Sequence, residues 1–381
     1  MSLAALLRRA WIAPLVLAAC IEAHAHDGEA AAAARLPQRI ALLARAQAEL
    51  ERGDANQALD DFERAAMMLH AADAELGLIR AAMQDGQYRR ALAFCAHTAG
   101  EHTDDADGGA LYAWLLRVGG QGELATRTIA QTRDHAPGDA VVAAVDAAFG
   151  ASPSVARGVL LEPAHRMAPW PVMLDAQSPP PPTARFASNA VLVDDGAAAL
   201  LPSTSTSTSS LLAPGARAWV RNGLGQTSEA TLDRGDVVLA SRGLVRLRLR
   251  AHLGTGASRE AAGRAPFAGS PGYAVQFAGG DDPAWPVLTQ GFLGGPLGDT
   301  ALRKVGFAST PGAPVLDAKG ALIGIVLVSA NGLATWLPLG GTPQPPTTVA
   351  PVRTGPALVA PDEIYEAGLR RALQVLVEPP R

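Results

Sequence analysis

The sequence predicts an α+β multidomain chain: an all-α helical repeat, then an all-β part, then a C-terminal helix. Three observations predict it. Gly53, Gly86 and Gly120 punctuate a helix-type pattern at intervals of 33 and 34 residues. From residue 184 onward, short runs of Val, Leu and aromatics alternate with glycine turns. The tail "APDEIYEAGLRRALQVLV", Ala360 to Val377, places Ile364, Leu369, Leu373 and Leu376 on one helical stripe.

The 381 residues leave room for two or three domains of roughly 100–200 residues each. Hydrophobic residues make up 48% and charged residues 18%, which supports a packed core and argues against global disorder. A net charge of −4 argues against nucleic-acid binding as the main role, so no nucleic-acid partner is expected. The only lysines are Lys304 and Lys319; with the abundant alanine and arginine this reads as the bias of a GC-rich bacterial genome.

The N-terminus carries the three parts of a secretory signal: Arg8 and Arg9, the apolar run Ala10 to Ala19, and small residues after it. The run is too short to span a bilayer as a helix. Two cleavage readings stand. "AHA", Ala23 to Ala25, makes residues 1–25 the signal and leaves His26 as the new terminus. "LAAC", Leu17 to Cys20, resembles a lipobox ending at residue 19 and leaves Cys20 lipidated. Both export the chain to a periplasm. Only the second makes the membrane a partner, as an outer-membrane lipoprotein. Of the two cysteines, Cys20 would be removed or acylated, so Cys95 in "RRALAFCAH" is expected to be an unpaired, buried helix thiol.

Residues 36–150 hold the repeats. Each of the three glycines is followed after five residues by an alanine (Ala58, Ala91, Ala125). Four residues further on stands an apolar residue (Phe62, Cys95, Ile129). Glycine turns the chain because it tolerates positive φ. The alanine lets two helices approach, and the larger residue fills the groove between units. This resembles tetratricopeptide repeats. The resemblance implies a concave surface for a protein or peptide partner, the other reading being that the helices only brace the all-β part.

Residues 151–183 form a Pro-rich linker ending in "SPPPP", a stiff, extended spacer. Residues 184–340 read as strands near Ala190–Val193, Ala199–Leu201, Ala216–Val220, Asp236–Ala240, Leu244–Leu249, Tyr273–Phe277, Val287–Leu293, Ala321–Val328 and Ala334–Leu337, a spacing that suggests a sandwich or barrel. In "GLVRLRLR", Val245, Leu247 and Leu249 face one way and three arginines the other, as in a half-buried strand with a solvated face. Residues 341–381 comprise a Pro/Thr-rich loop and the C-terminal helix.

Four stretches then carry a resemblance to trypsin-like serine peptidases of the Deg-type branch: "SNAVLVDDGAAALLPSTS", "VVLASRGLVRLRL", "GSPGYAVQFAGGDDPAWPVLTQGFL" and "TPGAPVLDAKGALIGIVL". The resemblance covers Ala184 to Leu339 and implies a double β-barrel. It also implies a catalytic triad that these residues do not supply. Anchored on Pro314 and Val315, the serine position of the family is Pro311. The histidine position falls on Ser205, and the aspartate that opens the matching strand is Gly243. Acyl transfer needs a nucleophile and an imidazole base. Proline also lacks the N–H that the oxyanion hole takes from the nucleophile.

The expectation is therefore a non-catalytic pseudopeptidase, exported to the periplasm, acting in protein binding or as an assembly scaffold. The alternative is a serine endopeptidase with a rearranged site of Ser309 and His252. No cluster of His, Cys, Asp or Glu has metal-ligand spacing and no cofactor motif stands in the chain, so neither is expected. "STSTSTSS", Ser203 to Ser210, reads as a mobile polar loop.

Overall fold

The computed structural model describes residues 35–151, 154–168, 177–203, 211, 213–256, 266–339 and 358–378. The signal segment, Cys20, Ser205 with most of the Ser/Thr run, and the Pro/Thr-rich loop lie outside these residues.

The repeats form a stack of paired helices. The first described helix, α1, covers residues 35–52. After it come α2 (Ala55–Met68), α3 (Ala72–Asp85), α4 (Tyr88–Glu101), α5 (Ala106–Val118), α6 (Gly122–His135) and α7 (Ala140–Gly150). The expected register holds: Ala58, Ala91 and Ala125 are fully buried, and Phe62, Cys95 and Ile129 nearly so. Gly86 closes α3 in the left-handed region at φ 81°, and Gly53 and Gly120 turn the chain at 88° and 83°. Aspartates start the helices elsewhere. Asp139 accepts from the N–H groups of Val141 and Val142 at 2.8 and 2.9 Å, and Asp105 from that of Asp107 at 3.0 Å.

Behind the helices stand two closed six-stranded antiparallel barrels, as the strand spacing predicts. The strands of the first are β2 (Arg185–Val193), β3 (Ala198–Pro202), β4 (Arg217–Asn222), β5 (Gln226–Asp233), β6 (Leu244–Leu249) and β13 (Ala372–Glu378). Those of the second are β7 (Pro271–Gln276), β8 (Val287–Pro296), β9 (Arg303–Val305), β10 (Pro314–Asp317), β11 (Leu322–Val328) and β12 (Ala334–Pro338). Around the first barrel the order is β13-β2-β3-β6-β5-β4; around the second it is β7-β8-β9-β12-β11-β10. The two orders are identical when β13 is counted as the first strand of its barrel. A strand from the far end of the chain thus fills the opening position of the first barrel.

Two sequence expectations are corrected here. The C-terminal helix α9 runs only from Pro361 to Arg371, and Ala372–Glu378 is β13. Leu373, Val375 and Val377 alternate into the core of the first barrel, which is strand periodicity. The strand expected at Asp236–Ala240 is a short helix, α8 (Val237–Ser241). Asp236 caps it by accepting from the Leu239 N–H at 2.9 Å, and Val237 and Val238 point into solvent. Strands β5, β9 and β10 of the barrels also stand where the sequence pattern predicts none.

The outward arginines of β6 are paired as a solvated face requires. Arg246 meets Asp194, Arg248 lies 3.0 Å from Asp233, and Arg250 lies 2.7 Å from Glu229. The main core crosses the layers: repeat residues such as Tyr88, Leu111 and Leu115 share it with Val275, Phe277 and Leu288 of the second barrel and Ile364 and Leu369 of α9. No described helix is long and apolar enough to cross a membrane.

Candidate functional site at the junction of the barrels

The loop between β9 and β10 carries Pro311, the position that the sequence resemblance assigns to a nucleophile. It is tied down through Thr310. The Thr310 N–H donates to Gln276 Oε1 at 2.7 Å and its hydroxyl donates to the same oxygen at 3.0 Å. From the first barrel, Asn189 Nδ2 donates to the Thr310 hydroxyl at 3.0 Å and to the Phe277 carbonyl at 3.2 Å. Asn189 Oδ1 accepts from the Phe277 N–H at 2.7 Å. One carboxamide therefore links β2 to the residue that follows the second barrel's first strand and to the loop. Gly312 comes next at φ 84°, so close to β2 that a Cβ there would stand 1.8 Å from the Asn189 carbonyl oxygen.

Pro311 thus sits between a clamped threonine and a glycine pressed on the opposite barrel. Gly243 opens β6 at φ 74°, with open space where a side chain would project, and its carbonyl accepts from Ser203 N–H at 2.9 Å. Its neighbour Arg242 donates to the Pro338 carbonyl of the second barrel. β2, β3 and the start of β6 meet β11 and β12 of the second barrel in the cluster of Val191, Leu200, Leu244, Ile325 and Leu337, while the β9–β10 loop meets β2 at Asn189. Ser205, two residues beyond Ser203, lies outside the described residues.

Ser309 and His252 are not brought together. Ser309 Oγ is buried without a hydrogen-bond partner. His252 is exposed beyond the opposite end of β6, where the Leu253 N–H donates to the Gly196 carbonyl.

The glycine-turn end of the repeats docks on the barrels through arginines. Arg166 donates to the Gly53 carbonyl at 2.6 Å and the Gln84 carbonyl at 2.9 Å. Arg370 of α9 donates to the Asp85 carbonyl. These carbonyls end α1 and α3, where helix dipoles favour cations. Burial, with Arg370 nearby, pushes the Arg166 guanidinium down to about 10, so it stays charged at neutral pH. Arg166 also belongs to β1 (Arg166–Met167), a strand of the linker that pairs in parallel with the first residues of β5. Part of the linker is thus strand-paired to the first barrel. Cys95 is buried, and burial pushes its thiol well above the ordinary range, away from reactivity.

A second polar constellation has no counterpart among the sequence expectations. His70, Glu75, His97 and His102 converge at the end of the stack remote from the glycine turns. They are spread over 33 residues and four segments, so no spacing motif announces them. Only the pairing of successive repeats brings them together, and His70, Glu75 and His102 then offer ligand atoms within 4.8 Å of one another.

Comparison with protein-family models and with curated proteins finds no match to this chain.

Proposed function

We propose that this chain is a non-catalytic protein of the trypsin-like double-barrel type, bearing tetratricopeptide-like repeats, that binds protein partners or holds an assembly together in the periplasm. The observation that carries the reading is Pro311 in a pinned loop. At an acyl-transfer centre this loop must present a nucleophile and a free N–H to the substrate carbonyl. Here Pro311 has neither a hydroxyl nor an N–H, and the loop that holds it is pinned on both sides, by Thr310 to Gln276 and by Gly312 to β2. The shared strand order of the two closed barrels is compatible with the double-barrel part of the reading.

The buried arginine contacts at the glycine-turn end favour a scaffold in which repeats and barrels act as one body. The concave surface that the repeat resemblance implies would then be where a partner binds. A fluorophosphonate probe tests the catalytic question: the purified protein is expected to remain unlabelled, and stoichiometric labelling would overturn the reading. Affinity purification from the native envelope fraction tests the binding role. A fixed protein partner is expected, and recovery of the chain alone would count against it. Mass spectrometry of the same sample tells Cys20 from His26 as the mature terminus.

A further inference from the structure

We propose that His70, Glu75, His97 and His102 form a zinc-class divalent-metal site that staples successive helical repeats at the free end of the stack. The proposal is independent of the function suggested for the barrels.

Glu75 lies in the first turn of α3 and is buried, with 4% of its surface exposed. A buried carboxylate needs a compensating charge. Among the described residues no arginine or lysine meets it; its ionic partners are three imidazoles. His70 Nε2 stands 2.7 Å from Glu75 Oε1, and His97 Nε2 stands 3.5 Å from the same oxygen. His102 Nε2 stands 3.5 Å from Oε2. His70 Nε2 and His97 Nε2 are 3.2 Å apart.

Protons alone serve this arrangement badly. His70 Nε2 carries at most one hydrogen, yet it faces both Glu75 and His97. His102 Nε2 is buried and makes no hydrogen bond. A cation at the centre would satisfy all four groups. Zinc bonds of about 2.0–2.1 Å to nitrogen and oxygen imply a ligand–ligand separation of about 3.3 Å in a tetrahedron. The 3.2 and 3.5 Å separations lie near that value, and His70, Glu75 and His102 already offer ligand atoms within 4.8 Å of one another; to complete the set, the His70–Glu75 pair must open by a few tenths of an ångström and the half-exposed His97 must turn toward His102.

The surroundings suit a metal as well. The Thr98 hydroxyl lies 2.7 Å from Glu75 Oε2 and donates to it, the kind of outer contact that orients a ligating carboxylate. His70 and His97 are about half exposed and give the ion a path from solvent, while Glu75 closes the floor. Three imidazoles and one carboxylate select zinc or a similar borderline ion over calcium or magnesium. Four protein ligands make a closed, structural site. His70 and Glu75 flank the α2–α3 connection, and His97 and His102 stand at the end of α4, so the ion would tie one repeat to the next.

The test uses the untagged full chain stripped with EDTA and titrated with Zn²⁺ by calorimetry. One equivalent is expected to bind, and the thermal midpoint is expected to rise by roughly 3 °C or more. Co²⁺ in its place is expected to give the intense visible bands of four-coordinate cobalt. His97→Ala and His102→Ala should each weaken Zn²⁺ binding about 100-fold, and Thr98→Val about 10-fold. Far-UV circular dichroism confirms that each variant is folded. Glu75→Gln, which keeps the shape and removes the charge, guards against a misfolded variant and should also abolish the cobalt bands. Absence of stoichiometric binding overturns the proposal. So does binding that survives the His97→Ala/His102→Ala double variant, because the ion would then be held by other histidines.

Discussion

Tyr88 and Tyr365 meet edge to face with ring centroids 4.5 Å apart, joining α4 of the repeats to α9. Both are fully buried, and each hydroxyl donates to a carbonyl, Tyr88 to Leu115 at 3.0 Å and Tyr365 to Pro286 at 2.7 Å. Burial raises both phenols, so they remain neutral donors across the accessible pH range. Tyr365→Phe keeps the ring contact and strands the Pro286 carbonyl, at a cost of about 1–2 kcal/mol. Tyr365→Ala adds a cavity at a three-way junction and should cost about 3–5 kcal/mol. Urea denaturation of both variants checks that order.

The strand after α9 makes a second prediction. β13 lies between β2 and β4, with Val375 opposite Ser188 on one side and Val220 on the other. Val375→Ala should cost about 2–3 kcal/mol. Because α9 and β13 are adjacent in the chain, and α9 shares its core with the repeats, the loss should not stay local. Helix signal and tryptophan fluorescence are expected to melt together, both shifted downward. Separate transitions, with only the barrel signal shifted, would show that the repeats and the first barrel fold independently.

The repeats and most of the strands were legible because their signals are local. Ala58, Ala91 and Ala125 recur at a fixed interval, and each is buried for the same packing reason. Strands such as β6 and β11 alternate or run apolar between glycine turns. β5, "QTSEATLD", is polar because its outer face holds Glu229 and Thr231, and it is a strand only through its neighbours. β13 fits a helical stripe and a strand alternation equally well, and partners at Ala190 and Val220 decide between them. The Thr310 clamp and the histidine cluster were illegible for a stronger reason. Asn189 and Thr310 are 121 residues apart, and both constellations exist only after the chain has folded.

A serine at position 311 should not create chemistry. Pro311→Ser supplies a hydroxyl and an N–H at this position, but the described residues offer no imidazole beside it. The variant is expected to fold and to remain unlabelled by a fluorophosphonate. Gly312→Ala, one residue on, should behave very differently. Its Cβ would lie 1.8 Å from a backbone oxygen at a left-handed φ of 84°. Backbone must move, so a loss of about 3 kcal/mol or more is expected. Labelling of Pro311→Ser would identify a base that the described residues do not provide.

The last prediction concerns acid. Asp61 of α2 has no accessible side-chain surface; Arg45 Nη2 donates to it at 2.6 Å and Arg64 Nη1 at 3.2 Å. The hydrogen bond from Arg45 holds its carboxyl below the usual carboxylate range. A depressed folded value means that the unfolded chain takes up the proton first as pH falls, at about 3.9. The stabilisation is therefore complete above about pH 5 and is lost as pH drops through the folded value. Asp61→Asn should cost about 2 kcal/mol at pH 7. The gap between the wild type and the variant should narrow steadily from pH 5 toward pH 3. Urea midpoints for both proteins over that range measure it. A gap that stays constant would mean that the interaction of Asp61 with Arg45 does not depend on the charge of the carboxylate.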